Sequence, residues 1–206
     1  MNTQFFEYKN NNKNIINNMN KEVEKFRNNI FTAQGRVYGE IFMEPIIRKI
    51  RGLSVSDTDE NDAKNGDGEF VEIKCSKVLL KKKQNKNNTL LEQIMSNNNS
   101  YVLNRLISFD DCYIKKFLSN IQNVKRDHFS ELVYVMLFED CIKIFTSNRE
   151  DISDIPVWSD KHGRFDEHGK SGQFGITHNN IEWHIKNNLV DTLTWEEVYD
   201  MVKDIS

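Results

Sequence analysis

One aspartate and one Glu-x-Lys triplet are the part of the sequence best suited to chemistry. Asp62 is followed, after nine intervening residues, by Glu72-Ile73-Lys74. Between them, Asn65 and Glu69 flank the three-residue segment Gly66-Asp67-Gly68. A glycine at the last loop position suits the left-handed residue of a type I turn with a G1 bulge. The spacing therefore predicts a β-hairpin whose loop is Gly66-Asp67-Gly68.

The predicted hairpin brings the three charged side chains together. In this register Asp62 lies opposite Glu72, and Lys74 follows on the same face because side chains alternate along a strand. A slip of one residue would separate the two carboxylates, so the register is a test of the prediction. The other residues of the second strand face the opposite way, into an apolar layer: Val71, Ile73 and Cys75.

Two carboxylates held a few ångströms apart raise each other's pKa unless a cation lies between them. Mg²⁺ takes one or two carboxylates and keeps several waters, and it can polarise a phosphodiester oxygen and acidify a bound water. A neighbouring lysine can orient or help deprotonate that water, or stabilise charge that develops on phosphorus. Asp62, Glu72 and Lys74 therefore outline a site for phosphodiester hydrolysis.

The pattern Asp62…Glu72-Ile73-Lys74 resembles the signature of the PD-(D/E)xK nucleases. This superfamily includes most type II restriction endonucleases, Holliday-junction resolvases and several repair nucleases. Asn61 stands where the family often has proline, and Ala63 fits the small or aliphatic residue that usually follows the aspartate. The resemblance covers about residues 35–80.

The resemblance implies an α/β fold with a restriction-endonuclease-like core, a central mixed β-sheet flanked by helices. It also implies that Asp62 and Glu72 bind Mg²⁺, that the backbone carbonyl of Ile73 is a further metal ligand, and that Lys74 activates water. Many members carry a supporting glutamate on the helix before the hairpin. The two candidates lie four residues apart on one helix face: Glu40 and Glu44.

We prefer Glu40 as the supporting glutamate, assigned to the catalytic and metal site, because Glu44 precedes Pro45 and the helix is expected to deform there. The resemblance then predicts a Mg²⁺-dependent, sequence-specific double-stranded DNA endonuclease of the type II restriction class. A homodimer is expected, since two-fold protein symmetry matches palindromic sites. The alternatives are a structure-selective nuclease, such as a junction resolvase or repair enzyme, and a non-catalytic DNA-binding protein with a nuclease-like fold.

Other interpretations of the same residue types fit less well. The pattern could belong to a surface hairpin in which Asp62 and the Glu-x-Lys triplet coincide by chance. An acidic calcium loop at Asp57, Asp59 and Asp62 lacks the EF-hand glycine and terminal glutamate. An HNH nuclease would need a better-spaced partner for His178-Asn179. His184 and Trp183 are expected to pack against the body of the domain.

Charge is unevenly distributed around the hairpin. The net charge of the chain is −3, whereas residues 53–69 carry −5 and residues 71–90 carry +5. A lysine-rich segment beside an acidic one suits a site that binds phosphates, although such a segment is also typical of a solubilising loop. We assign DNA phosphate contacts to four residues in and after the second strand: Lys77, Lys81, Lys82 and Lys83.

A second polar segment between residues 161 and 173 is rich in glycine, bases and hydrogen-bond donors. Arginine and lysine can bind guanine edges, and glutamine can bind adenine. We predict a DNA-reading loop here, with an exposed connector as the alternative. The residues assigned to DNA binding are Lys161, Arg164, Lys170, Ser171 and Gln173.

Length and composition set the frame for these assignments. The chain has 206 residues, 38% hydrophobic and 29% charged, which predicts one globular nuclease domain over residues 1–206. Residues 1–20 are expected to form a polar lead-in, and residues 150–206 a C-terminal DNA-reading and helical part. No apolar run reaches the roughly 20 residues of a membrane span, and no signal peptide is visible. Three dispersed cysteines favour a cytoplasmic protein without disulfides.

The elements expected to position the site follow from periodicity. Val23, Phe26 and Ile30 recur at helical spacing, and further predicted helices cover about residues 35–51, 90–107, 110–122 and 178–189. Predicted strands cover residues 70–75, 132–138, 141–145 and 174–177, with the middle two joined by a tight turn at Glu139-Asp140. Thr194 and Glu197 have the spacing of a capping box for a last helix.

Overall fold

A computed structural model of the protein describes residues 20–57, 61–81, 98–125, 128–159, 165–166 and 169–204. The predicted N-terminal lead-in lies almost entirely outside this part of the chain.

A six-stranded mixed sheet forms the centre of the fold. Its strands are β1 (Ser54–Val55), β2 (Ala63–Lys64), β3 (Phe70–Lys77), β6 (Glu131–Leu137), β7 (Ile142–Asn148) and β12 (Leu189–Leu193). They lie in the order β1-β2-β3-β6-β7-β12. β3 and β6 run parallel, and each other neighbouring pair is antiparallel. The predicted hairpin of β6 and β7 is confirmed.

A second sheet is four-stranded and antiparallel. Its strands are β4 (Leu79–Leu80), β5 (Phe117–Val124), β8 (Trp158–Ser159) and β11 (Gly172–Ile176), and they lie in the order β4-β5-β11-β8. A short antiparallel pair, β9 (Phe165–Asp166) and β10 (Gly169–Lys170), stands apart from both sheets.

The helices are α1 (Lys21–Thr32), α2 (Glu44–Arg51), α3 (Asn98–Leu103), α4 (Ile181–Asn187) and α5 (Trp195–Lys203). A π-helix, Val37–Met43, leads directly into α2, and 3₁₀ turns cover Asp110–Tyr113 and Arg149–Asp154. The predicted helix near residues 35–51 is therefore present, but its first part is a π-helix and its second part is an α-helix. The change from π to α falls just before Pro45, which has no N–H to continue the ladder. The predicted capping box is confirmed at the start of α5.

The central strands of the six-stranded sheet are buried on both faces, whereas the edge strands β1 and β12 are largely exposed. One face packs on α1, the π-helix, α2 and α5, through side chains such as Phe31, Ile47 and Trp195. The other face packs on the four-stranded sheet, where Tyr134 meets Phe174. Full burial of each such aliphatic or aromatic side chain stabilises the fold by about 1.5–3 kcal/mol. The predicted α/β class, a mixed sheet flanked by helices, is confirmed at this level.

One predicted element is wrong. The segment 110–122 is expected to be helical, but after a single 3₁₀ turn it becomes β5. Phe117, Ser119 and Ile121 are buried, while the residues between them are exposed, which is the alternation of a strand. The predicted helix at 90–107 is present only as α3 within its described part, and β12 is not among the predicted strands.

No helix in the described residues is long and apolar enough to cross a membrane.

Candidate active site

The site is built on the hairpin of β2 and β3. The Asn65 N–H donates to the Glu69 carbonyl at 2.9 Å, and the Gly68 N–H donates to the Asn65 carbonyl at 3.0 Å. Gly68 has a φ of +82°, the left-handed conformation predicted for the last loop residue. Ala63 pairs with Val71, so the predicted turn and register are both confirmed.

Asp62, Glu72 and Lys74 meet on one face of this hairpin. The Lys74 Nζ lies 2.6 Å from Glu72 Oε1 and 3.1 Å from Asp62 Oδ2. The Ile73 N–H donates to the same Asp62 oxygen at 2.7 Å. The backbone of β3 therefore fixes Asp62, and one ammonium bridges the two carboxylates.

Burial and the neighbouring charges together set the protonation of this cluster. Only 2% of the Glu72 side chain is exposed, and this burial raises the pKa of Glu72, an effect that Lys74 opposes and Asp62 reinforces. Burial by itself would lower the pKa of Lys74, but the Glu72 and Asp62 carboxylates outweigh it and the pKa is raised. Lys74 is accordingly held as an ammonium ion.

Glu44, at the start of α2, is the third carboxylate of the site. Its side chain is 15% exposed, and burial, with repulsion from Asp62, raises its pKa to about 7. Arg48 lies one turn further along, with Nη1 3.7 Å from Glu44 Oε2. The same nitrogen donates to the Asp62 backbone carbonyl at 3.3 Å. Arg48 therefore ties the helix to the hairpin, a role that is absent from the sequence-based assignments.

Glu40 occupies a more peripheral position. Its side chain is 60% exposed and pairs with Arg36 at 3.0 Å. Both Glu40 and Glu44 line the groove in which the hairpin face lies. The geometry favours Glu44 over Glu40 as the supporting glutamate, because Glu44 is far less exposed than Glu40 and interacts electrostatically with Asp62 and Lys74. The change of helical winding before Pro45 leaves Glu44 beside the hairpin.

The groove has a volume of about 380 Å³. Its floor carries Asp62, Glu72 and Lys74, and its walls come from the π-helix and from the end of β5, including Lys125. Lys125 attracts Glu72 electrostatically. The sequence does not predict Lys125 at this wall, because residues 110–122, just before it, are expected to form a helix and not the strand that brings Lys125 to the groove.

The donor set fits a hard divalent cation through two carboxylates. Within the described residues, no group of three or more His, Cys, Asp or Glu side chains is arranged to hold a metal ion. Mg²⁺ needs only one or two carboxylates and completes its shell with water, a requirement that Asp62 and Glu72 meet. The Lys74 ammonium lies between these carboxylates, so a cation bound there would displace it from at least one of them.

The predicted phosphate-binding residues are only partly within the described chain. The Lys77 Nζ donates to the Ala33 carbonyl at 2.6 Å and lies 4.0 Å from the centroid of the Tyr38 ring. Burial lowers its pKa to about 8, so Lys77 joins β3 to the helical layer. Lys81 is exposed. Lys82 and Lys83 lie outside the described residues.

The predicted DNA-reading loop is also described only in part, and the described part is mostly strand, because it contains β9, β10 and the start of β11. Lys161, Arg164 and the side chain of Lys170 lie outside the described residues. Ser171 is buried, and Gln173 is half-buried on β11.

The alternative sites gain little from the geometry. Asp57 forms an ion pair with Lys64 at 2.6 Å, and Asp59 lies outside the described residues. His184 is fully buried, and its Nδ1 lies 2.8 Å from the Tyr134 hydroxyl. Trp183 packs partly buried against the same core. The expectation that His184 and Trp183 pack against the body of the domain is therefore confirmed.

No protein-family model and no curated protein matches the sequence.

Proposed function

We propose that the protein is a Mg²⁺-dependent endonuclease that hydrolyses phosphodiester bonds of double-stranded DNA, of the type II restriction class. The observation that carries the proposal is the convergence of Asp62 and Glu72 on the Lys74 ammonium inside an open groove. A carboxylate pair that can hold a metal ion, beside a fixed cationic donor, supplies two of the means by which phosphodiester hydrolysis can be catalysed.

Each residue has a distinct role in the proposed reaction. Mg²⁺, when bound, would polarise the phosphodiester and acidify a water molecule. Asp62 and Glu72 would hold the ion, and Ile73 keeps Asp62 in place through its N–H. Lys74 donates hydrogen bonds as an ammonium, so it would orient the attacking water and stabilise charge that grows on the phosphoryl oxygens. Glu44 would support the site in the position first assigned to Glu40.

The substrate class rests on the resemblance of the hairpin and on the walls of the groove. Lys125 stands beside the carboxylates, where it would offset phosphate charge. Recognition of a palindromic site would use a homodimer with two-fold symmetry. A structure-selective nuclease with the same residues is the second candidate, since it would share the hairpin and differ in how it selects DNA.

The first prediction concerns Lys74. Incubation of bacteriophage DNA with the wild-type protein and Mg²⁺ should give discrete fragments, and sequencing of their ends identifies the site. Lys74→Ala should lower the cleavage rate at least about a hundredfold, because removal of one preorganised donor to developing charge costs about that much. Lys49→Ala, an exposed lysine on α2, should cleave like the wild type.

The outcomes separate the candidates. Equal inactivity of wild type and Lys74→Ala over a wide panel of DNA would contradict the nuclease proposal and favour a non-catalytic DNA-binding protein. Cleavage of branched DNA, with linear duplexes left intact, would favour the structure-selective enzyme. Activity that survives complete chelation of divalent cations would contradict the Mg²⁺ requirement.

A further inference from the structure

The wall of the groove that is formed by the end of β5 contains an irregularity in the strand. The pairing of β5 with β11 shifts register between Gly172 and Phe174, which marks a β-bulge in β5 across from Gln173. Asn123, within this bulge, has a φ of +57°. Bulges are over-represented next to active sites, where they redirect side chains, and asparagine is one of the few residues other than glycine that adopts positive φ readily.

The bulge collects amide side chains on one face of the four-stranded sheet. Ile121, Val124 and Phe174 are buried in the core, so the residues that alternate with them face away from it. These outward residues form what we call the amide face: Asn120, Gln122, Asn123 and Gln173. Neither β5 nor β11 contains a charged residue, so no carboxylate on these strands would repel DNA.

The amide face adjoins the carboxylate site. Asn120, Gln122 and Asn123 line the same groove as Asp62 and Glu72. Gln173 is the one residue of β11 between the two pairs that bracket the bulge. The Asn120 Oδ1 lies over β11, 3.4 Å from the position that a Cβ on Gly175 would take. A strand of DNA whose phosphate reaches Asp62 would therefore place neighbouring nucleotides along the amide face.

We propose that the amide face reads adenine in A·T base pairs next to the scissile phosphate; this inference rests on the proposed nuclease function. An asparagine or glutamine amide offers one donor and one acceptor, which match the adenine N7 acceptor and N6 donor in the major groove. Lys125, at the end of β5, lies on the same wall and would hold the adjoining phosphate. Sequence selection is thereby assigned to the outward face of β5 and β11.

The side chains are available for this contact. In the part of the chain that the structure describes, the side-chain amides of Gln122, Asn123 and Gln173 form no hydrogen bond, and Gln122 and Asn123 are exposed. A left-handed residue other than glycine costs roughly 1–2 kcal/mol, and asparagine is among the few that tolerate it. Asparagine at position 123 thus keeps an amide at a place where glycine would suit the backbone better.

The test compares Gln122→Ala and Asn123→Gly with the wild type on a pool of short random-sequence duplexes in Mg²⁺. Asn123→Gly preserves the backbone, since glycine adopts positive φ freely, and removes only the amide. Wild-type fragment ends should be enriched in A·T pairs at fixed positions. Each variant should lose about tenfold of this preference at one position, within the 1–3 kcal/mol that a bidentate amide–adenine contact contributes.

A control variant and three other outcomes determine whether the inference is overturned. Asn29→Ala, an exposed amide of α1 outside the groove, serves as the control and should keep the wild-type profile. If both amide-face variants cut with wild-type preference, the inference is overturned and the nuclease function stands. If they cut more slowly with the preference unchanged, the amides contact the sugar–phosphate backbone and base reading is overturned. If the wild type cuts nothing in the pool or in phage DNA, the proposed function fails, and the inference with it.

Discussion

Lys74 is held as a hydrogen-bond donor by the two carboxylates beside it. Because Glu72 and Asp62 raise its pKa, Lys74 cannot take a proton from water in this arrangement. Orientation of water and stabilisation of phosphoryl charge are the roles of this lysine that fit the structure. A role as general base would require a cation to take its place between the carboxylates.

The second prediction distinguishes the two glutamates of the preceding helical segment. Glu44→Gln should lower cleavage about 10–100-fold, the usual effect of losing a group that supports a metal site, because Glu44 is buried beside Asp62. Glu40→Gln should leave cleavage within about fivefold, since Glu40 is exposed and pairs with Arg36, and exposed ion pairs contribute about 1 kcal/mol or less. Rates at several Mg²⁺ concentrations measure both effects. If Glu40→Gln lowered the cleavage rate more than Glu44→Gln, Glu40 would be the glutamate that supports the metal site.

At the residue scale, the sequence is most informative where a two-residue period decides the geometry. Asp62, Glu72 and Lys74 can be placed on one face because alternation and a glycine turn leave one register. Arg48 escapes such reasoning, although its spacing of four residues from Glu44 is visible. Its second partner, the Asp62 carbonyl, depends on how α2 lies against the hairpin, and this packing has no local signal in the sequence.

At the element scale, the turn of the hairpin gives the third prediction. Gly68→Ala should lower the free energy of unfolding by about 1–2 kcal/mol, because alanine at a φ of +82° is strained. Gly66→Ala is the matched control, since a Cβ added there would meet no atom within 4 Å and the φ of Gly66 is not positive. Denaturant titration of both variants measures the difference, and equal stabilities would show that the turn adapts at no cost.

The strand β5 shows why some elements could not be predicted. Asp110 and Asp111 do begin a helical turn, but it ends after Tyr113. The alternation that follows is obscured by Leu118, an exposed leucine, and by the bulge at Gln122 and Asn123. Pairing with β11, about fifty residues away in sequence, decides the outcome, and tertiary pairing overrides local propensity in strands.

At the scale of the whole molecule, a buried histidine limits acid stability. Burial lowers the pKa of His184 to about 4, whereas an unfolded histidine titrates near 6.5. The unfolded state therefore binds more protons between these pH values, and stability falls as the pH drops from about 6.5 to 4. This loss should reach about 3 kcal/mol, since each pKa unit is worth 1.36 kcal/mol.

The fourth prediction isolates this effect with His184→Gln, which cannot titrate but can still hydrogen-bond Tyr134. The free energy of unfolding should fall less steeply below pH 6.5 in the variant than in the wild type. Glu44 acts in the opposite sense in both proteins, because its raised pKa makes protonation stabilise the fold between pH 7 and 4.5. The difference between the two curves therefore reports His184, and superimposable slopes would exclude its role.

The fold class is easier to predict from the sequence than the way in which the strands pair into sheets. Alternation and the hairpin signals indicate the central strands, and the mixed α/β class follows from the order of the elements. The pairing of β12 with β7 and the separate four-stranded sheet arise from contacts between distant segments, for which a single sequence offers no pattern.

The parallel pairing of β3 with β6 has an evolutionary consequence. Two adjacent parallel strands must be joined by a long return path, and here that path contains β5 and its bulge. Asp62, Glu72 and Lys74 lie on the hairpin before the return, whereas the wall of the groove at the end of β5 lies within it. Insertions and substitutions in the return path can therefore change what the groove admits without altering the hydrogen-bonded register that places Asp62, Glu72 and Lys74 on one face.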